Sequence, residues 1–158
     1  MCSSLLCAFA LSAILAGGSG LGILSSINVH FLVTDPEGRR TGFDRSSPAL
    51  FAEIPAARYD VRCTGGTEGT PGDSSRRFVA AFGDGGALQE GPYTFTVTGA
   101  RGGPFWVSIS VYREPVSDDF TIRGVIRAGE VKSYRLVFVP DPSVPLRIDT
   151  LAVRSRQE

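Results

Sequence analysis

Apolar and polar residues alternate with a period of two along most of this chain, the pattern of half-buried β-strands. Over residues 27–34 the apolar positions are Ile27, Val29, Phe31 and Val33. Over 92–98, Tyr93, Phe95 and Val97 interleave with Thr94, Thr96 and Thr98, and over 105–112 Phe105, Val107, Ile109 and Val111 share a face. Further strands are predicted over 39–43, 50–54, 58–63, 76–82, 120–126, 130–139 and 146–153, with 120–126 and 130–139 paired across Arg127-Ala128-Gly129. Asp35-Pro36-Glu37-Gly38 supplies Asp, Pro and Gly at the first, second and fourth positions of a type I turn, so 39–43 reads as the return strand of a hairpin. Residues 64–75 carry only Gly, Ser, Thr, Pro and acids, which predicts a mobile loop with nothing to bury. No window keeps a helical period. The pattern predicts an all-β chain, an antiparallel β-sandwich (Ig-like or jelly-roll-like) of seven to nine strands after an N-terminal signal segment.

The N-terminus breaks the alternation. No charged side chain precedes Asp35, and residues 5–16 are nearly unbroken hydrocarbon. A run of about a dozen apolar residues suits the core of an export signal and falls short of the ~20 needed to span a bilayer. Ala16, Gly17 and Gly18 are small enough for signal-peptidase cleavage. Gly17 stands where a lipoprotein signal would need cysteine. No Lys or Arg flanks the run, however, and apolar character resumes over 21–27, so an uncleaved anchor and a buried strand also fit the residues. The organisation that follows is 1–18 as signal peptide or anchor, 19–26 as a Gly/Ser spacer, 27–153 as the β-sandwich domain and 154–158 as a polar tail. The expected location is secreted, periplasmic or cell-surface, with membrane contact only through an uncleaved N-terminus.

Composition narrows the partners. Among 158 residues, 16 cations balance 16 anions, which gives no electrostatic case for binding nucleic acid or an anionic membrane. Of the three cysteines, Cys2 and Cys7 fall in the signal segment, which leaves Cys63 without an intrachain partner. Its alternation with Tyr59 and Val61 predicts burial as a small hydrophobe, the alternative being a thiol free to pair between chains. His30 is the only histidine and no CxxC pair exists, so a zinc site is not expected. No cofactor is expected either.

Candidate chemistry is sparse. Hydrolysis by a Ser/His/Asp arrangement would have to use His30, which lies in a strand without a G-x-S-x-G turn. Asp118 and Asp119 are adjacent, but neighbours in a strand point to opposite faces and cannot converge on one substrate. Asp35, Glu37 and Asp44 are weak calcium candidates, since hard oxygen ligands gather there around a turn; Asp73 and Asp84 lie in Gly-rich loops. Pro36 and the Arg39-Arg40 pair work against that site. The Gly-Gly groups lack the strand-to-helix context of a phosphate loop and read as turns. Trp106, the only tryptophan, shares a face with Ser108, Ser110 and Tyr112, opposite the Phe105 face. If Phe105 faces the core, Trp106 and Tyr112 stand outward as a binding face, unless a loop or the 140–145 segment covers them.

Two segments carry a family resemblance. Residues 32–42, with Asp35-Pro36, Gly38 and Arg39, resemble the "DP-x-G-R" hairpin of secreted bacterial β-sandwich modules. Residues 91–99 followed by 105–111 are similar to the paired "G-x-Y-x-hydrophobic-x-V" strands of those modules, notably pre-peptidase C-terminal-type accessory domains. The resemblance implies a non-catalytic domain that serves an exported enzyme or surface protein. The expected function is therefore a non-enzymatic exported binding or accessory module that meets a protein or glycan surface through a sheet face or loop ends. The alternative is a structural or assembly protein that pairs through edge strands. A carbohydrate-active or other hydrolase ranks third.

Overall fold

The computed structural model of the chain describes residues 18–44, 47, 49–63, 74–81 and 88–151. The expected targeting segment through residue 17, the 64–73 part of the expected loop, Asp73, Asp84 and the 154–158 tail lie outside these residues. The described residues form eleven strands and no helix: β1 (Ser19–Ser26), β2 (Val29–Thr34), β3 (Arg40–Asp44), β4 (Ala49–Ala52), β5 (Ala57–Cys63), β6 (Ser74–Ala81), β7 (Gly91–Gly99), β8 (Gly103–Arg113), β9 (Val116–Ile126), β10 (Val131–Phe138) and β11 (Ile148–Leu151). All pairings are antiparallel. Sheet A runs β5-β6-β1-β8-β9 and sheet B runs β11-β10-β7-β2-β3-β4.

The two sheets make a β-sandwich, with the core between them. Sheet A contributes Leu21, Ile23, Phe105, Val107, Ile109, Val111 and Ile126. Sheet B contributes Val29, Phe31, Val33, Tyr93, Phe95, Val97, Tyr134, Leu136 and Phe138. On β2, β7 and β8 these are the apolar positions of the period-two pattern, and burying each large one stabilises the fold by ~1.5–3 kcal/mol. The strand count exceeds the expected seven to nine.

Two sequence expectations need correction. Residues 19–26 are not a spacer. They form β1, which sits in the middle of sheet A between β6 and β8. Leu21, Ile23 and Ser25 point inward and are buried, but Gly20, Gly22 and the adjoining Ile23-Leu24 pair blur the alternation that would have revealed it. A central strand gains ladder bonds on both edges and a buried face, and these override weak intrinsic propensity. The second correction is that β9 and β10 do not pair. β9 pairs with β8, and β10 with β7 and β11, so Arg127-Ala128-Gly129 carries the chain from one sheet to the other.

That crossing is one of three at the same end of the sandwich. The β1–β2, β7–β8 and β9–β10 connections all change sheet here and are tied together. Ala100 and Arg101 donate backbone N–H groups to the Asn28 carbonyl, and Gly129 N donates to Gly99 O at 2.9 Å. The approach is so close that a Cβ on Gly99 would lie 2.0 Å from the Arg127 carbonyl oxygen. Only glycine fits there.

The β2–β3 connection is the hairpin the sequence predicts. Gly38 N donates to Asp35 O at 3.0 Å, closing the Asp35-Pro36-Glu37-Gly38 turn. Gly38 then takes φ +82°, the left-handed position that follows a type I turn in a hairpin of this length. At the same end Arg113 is buried beneath the 139–144 segment. Its guanidinium pairs with Asp118 (Nη2 to Oδ2, 2.5 Å) and donates through Nη1 to the carbonyls of Val139, Asp141 and Val144.

Candidate functional site

Burial along β8 alternates strictly. Phe105, Val107, Ile109, Val111 and Arg113 face inward, which leaves Trp106, Ser108, Ser110 and Tyr112 outward. Trp106 and Tyr112 are half-buried and stand six positions apart on one strand, about 20 Å at ~3.3 Å per residue. Between them β1 contributes two glycines and a leucine, and β9 contributes polar side chains. Opposite Tyr112 and Ser110 on β1 lie Gly20 and Gly22, and opposite Ser108 lies Leu24. On β9 the partners of Tyr112, Ser110, Ser108 and Trp106 are Ser117, Asp119, Thr121 and Arg123.

The result is a low strip of glycine and serine with an aromatic ring at each end. Among the described residues, packing does not require it to be low at Gly22, because a Cβ there would meet nothing within 4 Å. Interior strand glycines often mark the close approach of a ligand or another backbone. Asp119 accepts a hydrogen bond from Ser110 Oγ at 2.6 Å, which orients that hydroxyl on the strip. The Trp106 backbone N–H donates to Ser26 Oγ at 3.3 Å, which ties this end of β8 to the end of β1.

The 140–145 segment does not cover this face. It is held by Arg113, whose side chain leaves β8 on the core side, opposite Tyr112. The proline-rich run therefore closes one end of the sandwich, and the hydroxyls and rings of the β8 face stand clear of it.

The weak calcium candidates do not come together. Asp35 is buried and turned onto its own hairpin. Its Oδ1 accepts the backbone N–H groups of Glu37 (3.0 Å) and Arg39 (2.8 Å), and its Oδ2 accepts Arg39 Nε at 2.7 Å. Glu37 pairs with Arg39 at 2.8 Å and accepts a hydrogen bond from Gln89. Asp44 lies at the far end of β3. Among the described residues no three of His, Cys, Asp and Glu group as a metal site. The carboxylates that look clustered in sequence serve the turn, and the hydrogen bond to Asp35 holds the Arg39 guanidinium above its ordinary pKa.

The remaining candidates separate as strand geometry dictates. Asp118 turns inward to Arg113 while Asp119 turns outward to Ser110. His30 stacks on Phe43 with ring centroids 4.3 Å apart. Cys63 ends β5 opposite Ser74; its expected burial lies outside what is described. The sequence singled out Trp106 and Tyr112 but missed Gly20 and Gly22, because it assigned them to a spacer. A reading of 19–26 as a strand would have set both on the face opposite Leu21 and Ile23.

No protein-family model matches the chain, and no curated protein or solved structure matches it.

Proposed function

We propose that the chain is a non-catalytic, exported binding module that holds a glycan along the outward face of β8 and β1. The observation that carries this reading is the strip itself: two aromatic residues whose backbone positions lie about 20 Å apart along β8, with Ser108, Ser110, Gly20 and Gly22 between them. Sugar rings have apolar faces that stack on Trp and Tyr and equatorial hydroxyls that need nearby donors and acceptors. A flat strip with small hydroxyl side chains between two platforms supplies both. Export is supported by the uncharged, apolar N-terminal run, and an accessory role by the resemblance of residues 32–42 and 91–111 to secreted modules. The inward-outward split of Asp118 and Asp119 supports a non-catalytic reading.

The test is a glycan array followed by titration calorimetry on the best ligand. Trp106→Ala and Tyr112→Ala should each weaken binding by about tenfold or more. Gly22→Phe should block it by filling the strip, since among the described residues nothing lies within 4 Å of a Cβ at Gly22 to turn the new side chain away. Binding that survives Trp106→Ala would overturn the reading.

A further inference from the structure

β9 is the outermost strand of sheet A and, among the described residues, pairs only with β8. At 11 residues it is as long as β8, it holds no proline, and Val125 at its end is 68% exposed. Edge strands of natural proteins are usually kept from pairing by shortness, bulges, proline or charged side chains, inward-pointing ones included. β9 is neither short nor interrupted by proline, its inward Asp118 is paired with Arg113 of β8, and its outward charges, Asp119 and Arg123, are opposite in sign.

The direction of its free backbone groups follows from the register. Val125 lies opposite Pro104, which has no N–H to give, and the Pro104 carbonyl accepts Asn28 Nδ2 at 2.8 Å on the side away from β9. Pro104 and Val125 are thus a pair without mutual hydrogen bonds, so Val125 turns its N–H and C=O away from β8. By the same alternation Ser117, Asp119, Thr121 and Arg123 do too. Lys132 Nζ donates to Val125 O at 2.8 Å, consistent with an outward carbonyl, and uses one of its two lone pairs.

From this we propose that β9 is a self-recognition edge, at which a second copy of this chain pairs antiparallel about Thr121. The sequence is self-complementary in that register. With Thr121 opposite its own copy, Asp119 of each chain faces Arg123 of the other, twice by symmetry. On the inner face Phe120 of each chain faces Ile122 of the other, and both are only partly buried within one copy. Opposite charges directly across a ladder stabilise pairing, and a slip of two residues would lose both ion pairs. Arg123 makes no side-chain bond to a described residue of its own chain, so it is available to the other.

The symmetry operation is a two-fold axis perpendicular to the sheet, the isologous arrangement of most dimers. It joins two copies of sheet A into one continuous sheet and puts both Trp106–Tyr112 strips on the same side. This bivalent consequence rests on the glycan reading above; the pairing does not. Two strips on one side would bind a polymeric surface with avidity that one strip lacks.

Sedimentation velocity on the purified chain across a concentration series tests it. The expected result is a concentration-dependent dimer. Thr121→Pro removes an outward N–H that no ladder bond to β8 uses, and should give a monomer with an unchanged circular dichroism spectrum. Asp119→Arg should weaken dimerisation by about tenfold or more by setting like charges opposite each other, and Asp119→Arg with Arg123→Asp should restore it. A wild-type chain that stays monomeric at its highest soluble concentration would overturn the proposal and point the edge to a different partner. A dimer indifferent to both single changes, or single-variant losses that the double reversal does not recover, would overturn it as well. Trp106→Ala should leave the dimer intact, so failure of the glycan reading and failure of the pairing are read separately.

Discussion

Arg113 is the residue whose environment departs furthest from its type. It is 2% exposed, yet its charge is met by Asp118 and by the Val139, Asp141 and Val144 carbonyls. Removing one partner of such an arrangement leaves desolvated groups behind, and Arg113→Met should cost about 3–5 kcal/mol. Urea denaturation measures it; a loss under 1 kcal/mol would mean the carbonyls rehydrate freely. Tyr93 is a second case. Burial is the main reason its phenol is pushed up to about 12, against about 10 in an unfolded chain. The folded state therefore holds the proton more tightly. The associated stability is complete below about pH 10 and is lost as pH rises through about 12. Calorimetric scans should show the melting temperature falling across that window, and falling less in Tyr93→Phe. Tyr134, raised in the same direction by burial, should keep part of the slope.

At the scale of elements, β1 and the β2–β3 hairpin behave oppositely with respect to local sequence. The hairpin is specified within five residues: Asp35 accepts two backbone N–H groups of its own turn, and Gly38 takes the position a Cβ would strain. Gly38→Ala meets open space, so its cost is backbone strain alone, about 1 kcal/mol. β1 is specified by its neighbours. It bridges β6 and β8 and carries Leu21 and Ile23 into the core. A chain beginning at Ile27 should therefore lack the dispersed amide spectrum that one beginning at Ser19 retains. A folded product from Ile27 onward would show that β6 and β8 can close on each other without it.

At the scale of the whole molecule, the sandwich puts its chemistry on the outside. The ends are closed by Arg113 and the 139–144 segment at one side and by the Asn28, Gly99 and Arg127 contacts at the other. The surfaces left are the faces and edges. The β8–β1 face and the β9 edge adjoin, since Asp119 both orients Ser110 and stands in the outward row of β9. Loss of binding without loss of stability in Trp106→Ala, compared by titration and melting on one sample, is the expected signature of a face that serves function and not folding.

What the sequence determined by itself is whatever a period of two and a turn dictate locally. That includes the all-β class, the inward sets Val29-Phe31-Val33, Tyr93-Phe95-Val97 and Phe105-Val107-Ile109-Val111, the Asp35–Gly38 hairpin, the divergence of Asp118 and Asp119, and the outward position of Trp106 and Tyr112. Each follows from side chains alternating across a strand, which needs no knowledge of the partner strand. The tertiary structure alone decided which strands pair. β9 joins β8 and not β10, β1 is a central strand and not a spacer, and Asp35, Glu37 and Asp44 do not converge. Register and sheet membership depend on contacts far apart in sequence, such as Gly22 with Ser110 or Asn28 with Pro104. A local pattern is the same whichever distant strand satisfies it.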